Sequence, residues 1–390
     1  MRDLFGREIE RLKRKDSFRW LRNMEGAATP RMRVDGREVI VLCSSNYLGL
    51  ATHPRLKAAA VEATDRLGVC SAASRLIVGN NELYQALEDR LAAFKGREAA
   101  LVYSTGYMAN LGVISSVVRE GDVVYSDALS HASIVDGCRL SRAEVRVFPH
   151  NDLDALEGLL KSETGHRRKL IVVDGVYSMD GDLTPLPDLT KLAKNYDALL
   201  MIDDAHGTGV LGERGGGTTE HFGLKDPDLV DIEIGTLGKA LGSFGAYVVG
   251  SQTLREYLIN RSRSFIFTCA LSPPALAAAI AALDLVEEPE HRMRIWDNVR
   301  HLRDGLHRLG LSTEPSETHI LPVMTYERQK TMVLCERLLE LGVFCQGIRP
   351  PTVPPGTSRL RFTVTAEHTS ADLDQALEVI EKAFREFALL

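Results

Sequence analysis

From about residue 55 to 250 the sequence alternates short apolar runs with amphipathic helical stretches, and this alternation restricts the fold more than any other feature of the chain. The runs are Ala99–Tyr103, Val123–Tyr125, Leu170–Val173, Leu199–Ile202, Ile232–Ile234 and Tyr247–Val249. Between them Leu83, Leu87, Leu91 and Phe94 recur on one helical face, and Leu189, Leu192 and Ala193 on another. Strands that are apolar along their whole length need cover on both faces, and the helices between them supply it. The expectation is an α/β fold with a mostly parallel sheet and helices on both faces.

The flanks read differently. Residues 1 to about 24 predict an amphipathic helix, and the stretch from Met32 to Ile40 predicts a hairpin turning at Asp35-Gly36. Together they make an N-terminal arm over residues 1–50, ahead of a large domain at 51–289. Residues 290–390 predict a smaller α+β domain: a charged helix around Arg292–Leu309, strands at His319–Val323 and Leu360–Thr365, and a helix near Lys330–Leu341. Thr369 is placed to cap the last helix, with Asp372 at its third position.

Charge narrows the classes of function. The 390 residues carry a formal net charge of −6 and no long block of like charge, which argues against nucleic acid or a membrane surface as partner. The six cysteines include no CxxC pair, so neither a disulfide framework nor a zinc site is expected. With no apolar leader after Met1, the expected location is the cytoplasm.

Four strand ends carry chemistry. The run Gly235-Thr236-Leu237-Gly238-Lys239-Ala240 sets a lysine among small residues after an apolar strand. Partial desolvation there favours a neutral amine able to form a Schiff base. A phosphate-binding loop is excluded because Ala240 stands where that motif requires Ser or Thr. Asp203-Asp204-Ala205-His206 ends another strand, where ligands of open α/β sheets sit. Its carboxylate could keep a pyridine nitrogen protonated; a metal site or a simple helix cap are the competing readings, and no metal is expected. Ser104-Thr105-Gly106-Tyr107 opens a helix whose free N–H groups could receive a phosphate. Ser130-His131-Ala132-Ser133 offers an imidazole that could stack on an aromatic ring, and Tyr177-Ser178 a hydroxyl. Each pattern alone is compatible with an ordinary turn, but together they have the composition of one cofactor pocket.

The chain resembles the α-oxoamine synthases, a branch of the fold-type I pyridoxal-phosphate enzymes, over essentially its whole length. The resemblance rests on Asn46-Tyr47-Leu48-Gly49-Leu50, Ser130-His131-Ala132-Ser133, Asp203-Asp204-Ala205-His206-Gly207-Thr208-Gly209 and Thr236-Leu237-Gly238-Lys239-Ala240, in the family's order and spacing. It implies pyridoxal 5′-phosphate as cofactor, a Schiff base on Lys239, Asp203 at the pyridine nitrogen, His131 on the ring, and His206 at the ring oxygen. Gly106, Tyr107, Ser178 and Thr236 would hold the cofactor and its phosphate. It further implies a homodimer with shared sites, in which Thr268 reaches the partner's phosphate. Arg22, Asn46, His131, Arg349, Thr352 and Arg361 would meet the substrates, the arginines through carboxylates that match a guanidinium fork.

Within the family, the Asp-Asp-Ala-His-Gly-Thr-Gly form and Ile348-Arg349-Pro350-Pro351-Thr352-Val353-Pro354 look most like the biotin-pathway branch, which joins L-alanine to a pimeloyl thioester carried on CoA or an acyl carrier protein. The branch joining glycine to acetyl-CoA is the nearest alternative, and a catalytically silent paralogue the remote one. Two stretches depart from the family: Gly242-Ser243-Phe244-Gly245, where a Gly-Gly pattern is common, and Cys70-Ser71-Ala72-Ala73-Ser74-Arg75, where many members are richer in glycine.

Overall fold

A computed structural model describes residues 2–162 and 165–389. Met1 of the expected N-terminal helix and Leu390 of the expected C-terminal domain lie outside the described residues. The chain divides into two compact units. The larger comprises Ser45–Ser178 and Asp182–Arg294; the other comprises Met1–Ser44, Met179–Gly181 and Ile295–Leu390.

Among the described residues of the larger unit, seven strands form one sheet. They are β1 (Ala99–Tyr103), β2 (Val123–Asp127), β3 (Glu144–Phe148), β4 (Lys169–Asp174), β5 (Leu199–Asp203), β6 (Ile232–Thr236) and β7 (Ala246–Gly250). Their spatial order is β1-β7-β6-β5-β4-β2-β3. From β3 to β6 the neighbours are parallel, whereas β7 runs antiparallel to both β1 and β6. All six apolar runs are strands. The one the sequence reading passed over is β3, Glu-Val-Arg-Val-Phe, an edge strand in which half-buried Glu144 and Arg146 alternate with exposed Val145 and Val147, so that charge interrupts the apolar signal.

Burial on both faces follows from residue parity. Val124, Leu170, Val172 and Met201 pack on one face with Val113, Ile114 and Ile134. Their neighbours Val123, Ile171, Val173, Leu200 and Ile202 pack on the other with Leu156, Leu186 and Leu189. Each such side chain contributes about 1.5–3 kcal/mol by leaving water. The carboxyl ends of β2, β4, β5 and β6 are thereby fixed side by side. These ends carry the motifs.

In the second unit the hairpin forms as expected from strands Arg31–Val34 and Arg37–Val41, with positive φ at both Asp35 (49°) and Gly36 (78°), the signature of a type I′ turn. Val343–Phe344 adds to this sheet parallel to Arg37–Val41. A second sheet holds Ile320–Tyr326, Ser358–Thr363 and Gln346–Ile348, all antiparallel, beside the helices Arg328–Glu340 and Ser370–Glu386. Thr369 and Asp372 form the reciprocal capping pair expected of them.

The N-terminal helix is shorter than the sequence suggested, spanning Arg2–Arg14. Asp16 takes a left-handed conformation at φ 49°. The amides of Asp16 and Ser17 then bond back to Lys13 and Leu12 at 3.0 and 2.9 Å, closing the helix before Phe18. No described helix is long and apolar enough to cross a membrane.

Candidate active site

Lys239 stands in the reversal between β6 and β7. Thr236 closes the base of this turn, accepting the amide of Gly238 (3.2 Å) and donating to the carbonyl of Gly245 (3.1 Å). Leu237 N to Gly245 O (2.9 Å) and Gly242 N to Lys239 O (2.9 Å) complete it. Lys239 Nζ lies 2.8 Å from Nε2 of His206, and Nδ1 of His206 lies 2.8 Å from the hydroxyl of fully buried Tyr47. With the lysine donating to Nε2, the imidazole proton sits on Nδ1 and points at Tyr47. The three side chains form one directed chain.

A second chain starts from Asp203, buried at the end of β5. One oxygen accepts the amide of Ala205 at 3.0 Å and the other accepts Asn110 Nδ2 at 2.7 Å. The same amide nitrogen donates to Ser133 Oγ at 2.8 Å, and that oxygen lies 2.7 Å from Nδ1 of His131. Both protons of the Asn110 amide are used, so the Ser133 hydroxyl donates to His131 Nδ1, which also accepts the amide of Ser133 (3.3 Å). The neutral imidazole therefore carries its proton on Nε2. Surrounding protein and the Lys239 charge push the His131 pKa below its ordinary value, against the pull of Asp203.

Asp174, at the end of β4, is the cross-strand neighbour of Asp203 and accepts the amide of His131 at 3.0 Å. Burial, then the nearby Asp203 charge, lift its pKa well above the carboxylate range. Asp204, next in chain to Asp203, turns away into a different task. It holds fully buried Lys95 at 3.0 Å and accepts the amide of Thr218 at 3.1 Å, which ties the glycine-rich loop after β5.

Thr105 caps the helix Gly106–Val117, accepting the amide of Met108 at 3.1 Å. A Cβ built on Gly106 would meet no atom within 4 Å, so the start of this helix faces open space. Tyr107 is exposed and its hydroxyl donates to Asp136. Ser178 is half-buried after β4, and Thr268 is half-buried beyond the helix Arg263–Ile266. Asn46 accepts the amide of Ala51 at 3.1 Å.

The remaining predicted residues belong to the second unit. Arg361 and Arg349 are both buried. Arg349 donates to the carbonyls of Asp16 (2.9 Å) and Phe18 (3.0 Å). Thr352 is exposed, 3.5 Å from Arg19. Arg22 is held by Asp35 at 3.0 Å and by Glu336, and it stacks 5.3 Å from the Trp20 ring.

Comparison with known proteins identifies the family. The sequence profile of aminotransferase class I and II matches residues 37–380. The chain is 53% identical over 386 residues to the 8-amino-7-oxononanoate synthase of Geobacter sulfurreducens, covering 98% of each. It is 47% identical to the enzyme of that name from Thermoanaerobacter pseudethanolicus, over 100% of this chain and 98% of the other. A solved serine palmitoyltransferase from S. paucimobilis superposes with a TM-score of 0.94 at 34% identity, covering 100% of this chain and 98% of that one. An 8-amino-7-oxononanoate synthase from Francisella tularensis superposes at 0.78 with 29% identity, over 90% and 99%.

The chain belongs to the aminotransferase class I and II family, as an α-oxoamine synthase. Its fold is that of the fold-type I pyridoxal-phosphate transferases, and pyridoxal 5′-phosphate is the cofactor of this α-oxoamine synthase. The residues present suit that group. An amine, a buried carboxylate and an imidazole converge at the strand ends, and an unobstructed helix start supplies N–H groups to a phosphate. The sequence reading assigned no role to Tyr47, Asn110, Ser133 or Asp174. Tyr47 and Ser133 lay inside the quoted motifs, where nearness to the predicted site residues was the available signal.

Proposed function

We propose that this α-oxoamine synthase condenses L-alanine with a pimeloyl thioester, carried on coenzyme A or an acyl carrier protein. The products are 8-amino-7-oxononanoate, carbon dioxide and the free thiol carrier. The observation that carries this reading is the Lys239–His206–Tyr47 chain, set in a protein that matches synthases of that name end to end at 47–53% identity. Pyridoxal phosphate, when bound, supplies an aldehyde that captures amines and a protonated ring that withdraws electrons. The rest falls to side chains.

Lys239, as a free amine, receives the α-proton of alanine. His206 fixes the direction of that amine from 2.8 Å, and Tyr47 fixes His206. Asp203 places a negative charge against the ring nitrogen, which favours the protonated form. His131 would stack on the ring, and with Nδ1 already satisfied by Ser133 its Nε2–H would be left to steady the thioester oxygen as charge develops there. Gly106, Tyr107, Ser178 and Thr236 hold the cofactor, and Thr268 does so for a second copy in a cytoplasmic homodimer. Arg361, with Arg349, takes the alanine carboxylate, and Arg22, Asn46 and Thr352 contribute to the acyl side.

The test is a product assay by mass with two substrate pairs, alanine with pimeloyl-CoA and glycine with acetyl-CoA. The first pair is expected to turn over to 8-amino-7-oxononanoate. Turnover of the second alone would reassign the chain to glycine acetyl transfer, and turnover of neither would leave it a silent paralogue.

A further inference from the structure

His150 follows β3 and belongs to none of the motifs. Its Nδ1 lies 3.0 Å from Asp127, the last residue of β2, and its Nε2 lies 2.6 Å from Asp182. The ring of Tyr177 meets it edge-on at 4.4 Å. Asn151 reinforces both contacts, its amide donating to Asp127 at 2.9 Å and its side chain to Asp182 at 3.1 Å. Asp127 and Asp182 are both buried.

Two carboxylates facing two ring nitrogens leave one consistent protonation. Each nitrogen must donate, so the ring is an imidazolium. The titratable groups facing it are Asp127 from β2, and Tyr177 and Asp182 from the turn after β4. Burial alone would lower its pKa, but its hydrogen bonds to the two aspartates, together with their charges, outweigh that and push it up to about 10.

The two aspartates are the roots of two site loops. Asp127 also accepts the amide of Leu129 (2.7 Å), and its carbonyl accepts Ser130 (3.2 Å), shaping the turn that leads into His131. Asp182 accepts the amide of Tyr177 at its carbonyl (3.1 Å), closing the turn that contains Ser178.

We propose that His150 is a positioning residue whose imidazolium fastens the turn leading into His131 to the turn carrying Ser178, so that both meet pyridoxal phosphate as one rigid surface. This rests on the cofactor roles given to His131 and Ser178 above. It adds a charged brace just after β3, a strand to which no pocket residue is assigned.

The experiment compares apo-protein of wild type and His150→Gln, titrated with pyridoxal phosphate. The readouts are visible absorbance, induced circular dichroism of the bound cofactor, and thermal unfolding of the same samples. His150→Gln is expected to raise the cofactor Kd about tenfold or more and to weaken the induced dichroism, since hydrogen bonds to charged groups are lost. His150→Arg, whose fork can face both carboxylates, is expected to recover part of the affinity. A Kd within about twofold of wild type, with only the unfolding midpoint lowered, would reduce His150 to a structural tie and overturn the proposal. Should His150→Gln fail to fold, Asp182→Asn decides. It removes a buried charge, keeps the Asp127 contact, and must still weaken cofactor binding by about threefold; unchanged affinity overturns the proposal. Wild-type protein that binds no pyridoxal phosphate would instead defeat the cofactor roles, and this inference with them.

Discussion

At the scale of single residues, Asn110 ties two parts of the site together. Asn110 spends both amide protons, one on Asp203 and one on Ser133, so it sets the carboxylate and the His131 tautomer together. Asn110→Ala should therefore leave two polar groups short of a partner, at about 1–3 kcal/mol, and raise the pyridoxal-phosphate Kd about tenfold in a titration of apo-protein. A second expectation concerns pH. The His150 pKa rises from 6.5 to about 10 on folding, so its stabilisation is complete below 6.5 and fades as pH climbs to 10. Thermal midpoints measured across that range should fall more steeply in wild type than in His150→Gln. The sequence disclosed Lys239, Asp203, His131 and His206 because each follows an apolar run. It did not disclose Asn110 and Tyr47 as partners, since Asn110 meets Asp203 across 93 positions and Tyr47 meets His206 across 159. Local pattern has no access to such pairings.

Among elements, turns decide more than strands. Gly242 sits at φ 59°, and a Cβ there would come within 2.6 Å of the amide of Ala51 and 2.7 Å of the carbonyl carbon of Leu50. Backbone cannot retreat cheaply from such contacts. Gly242→Ala should cost upwards of about 1 kcal/mol and displace the Lys239 turn, which would show as lost cofactor absorbance at matched protein concentration. At the opposite end of the chain, Thr369→Ala removes the capping pair of the helix Ser370–Glu386. About 1 kcal/mol of unfolding free energy should be lost in urea titration, with cofactor affinity unchanged. The cap could be anticipated from Thr and Asp at the right spacing, and the hairpin of Arg31–Val34 and Arg37–Val41 from Asp-Gly. The end of the first helix was harder to see, because Asp16 performs a role that sequence patterns assign to glycine.

For the molecule as a whole, the alternation of strand and helix was enough to place the sheet, but not the antiparallel β7 inserted between β1 and β6. A lone reversed strand has the same apolar composition as its neighbours. The surface carries one further consequence. Leu76, Ile77 and Val78 are more than half exposed, and Phe267 lies in a segment joined to theirs through the Ala270 to Ala73 backbone bond. A monomer rarely leaves such a run in water. Sedimentation of the purified protein should report a dimer, and Ile77→Asp should shift it toward monomer with a parallel loss of bound cofactor if Thr268 serves the neighbouring copy.

The reversed strand also determines how the reactive amine can be changed. In a parallel crossover the segment after a strand enters a helix and tolerates added length. Here Leu237–Gly245 turns straight back into β7, and Thr236 and Leu237 are both bonded to Gly245 at the far side. Lys239 is thus mounted on a bracket clamped at both ends. An inserted residue anywhere in that stretch would move the amine relative to His206 rather than being absorbed as slack. Engineering of this site has very little latitude in the loop that carries the lysine.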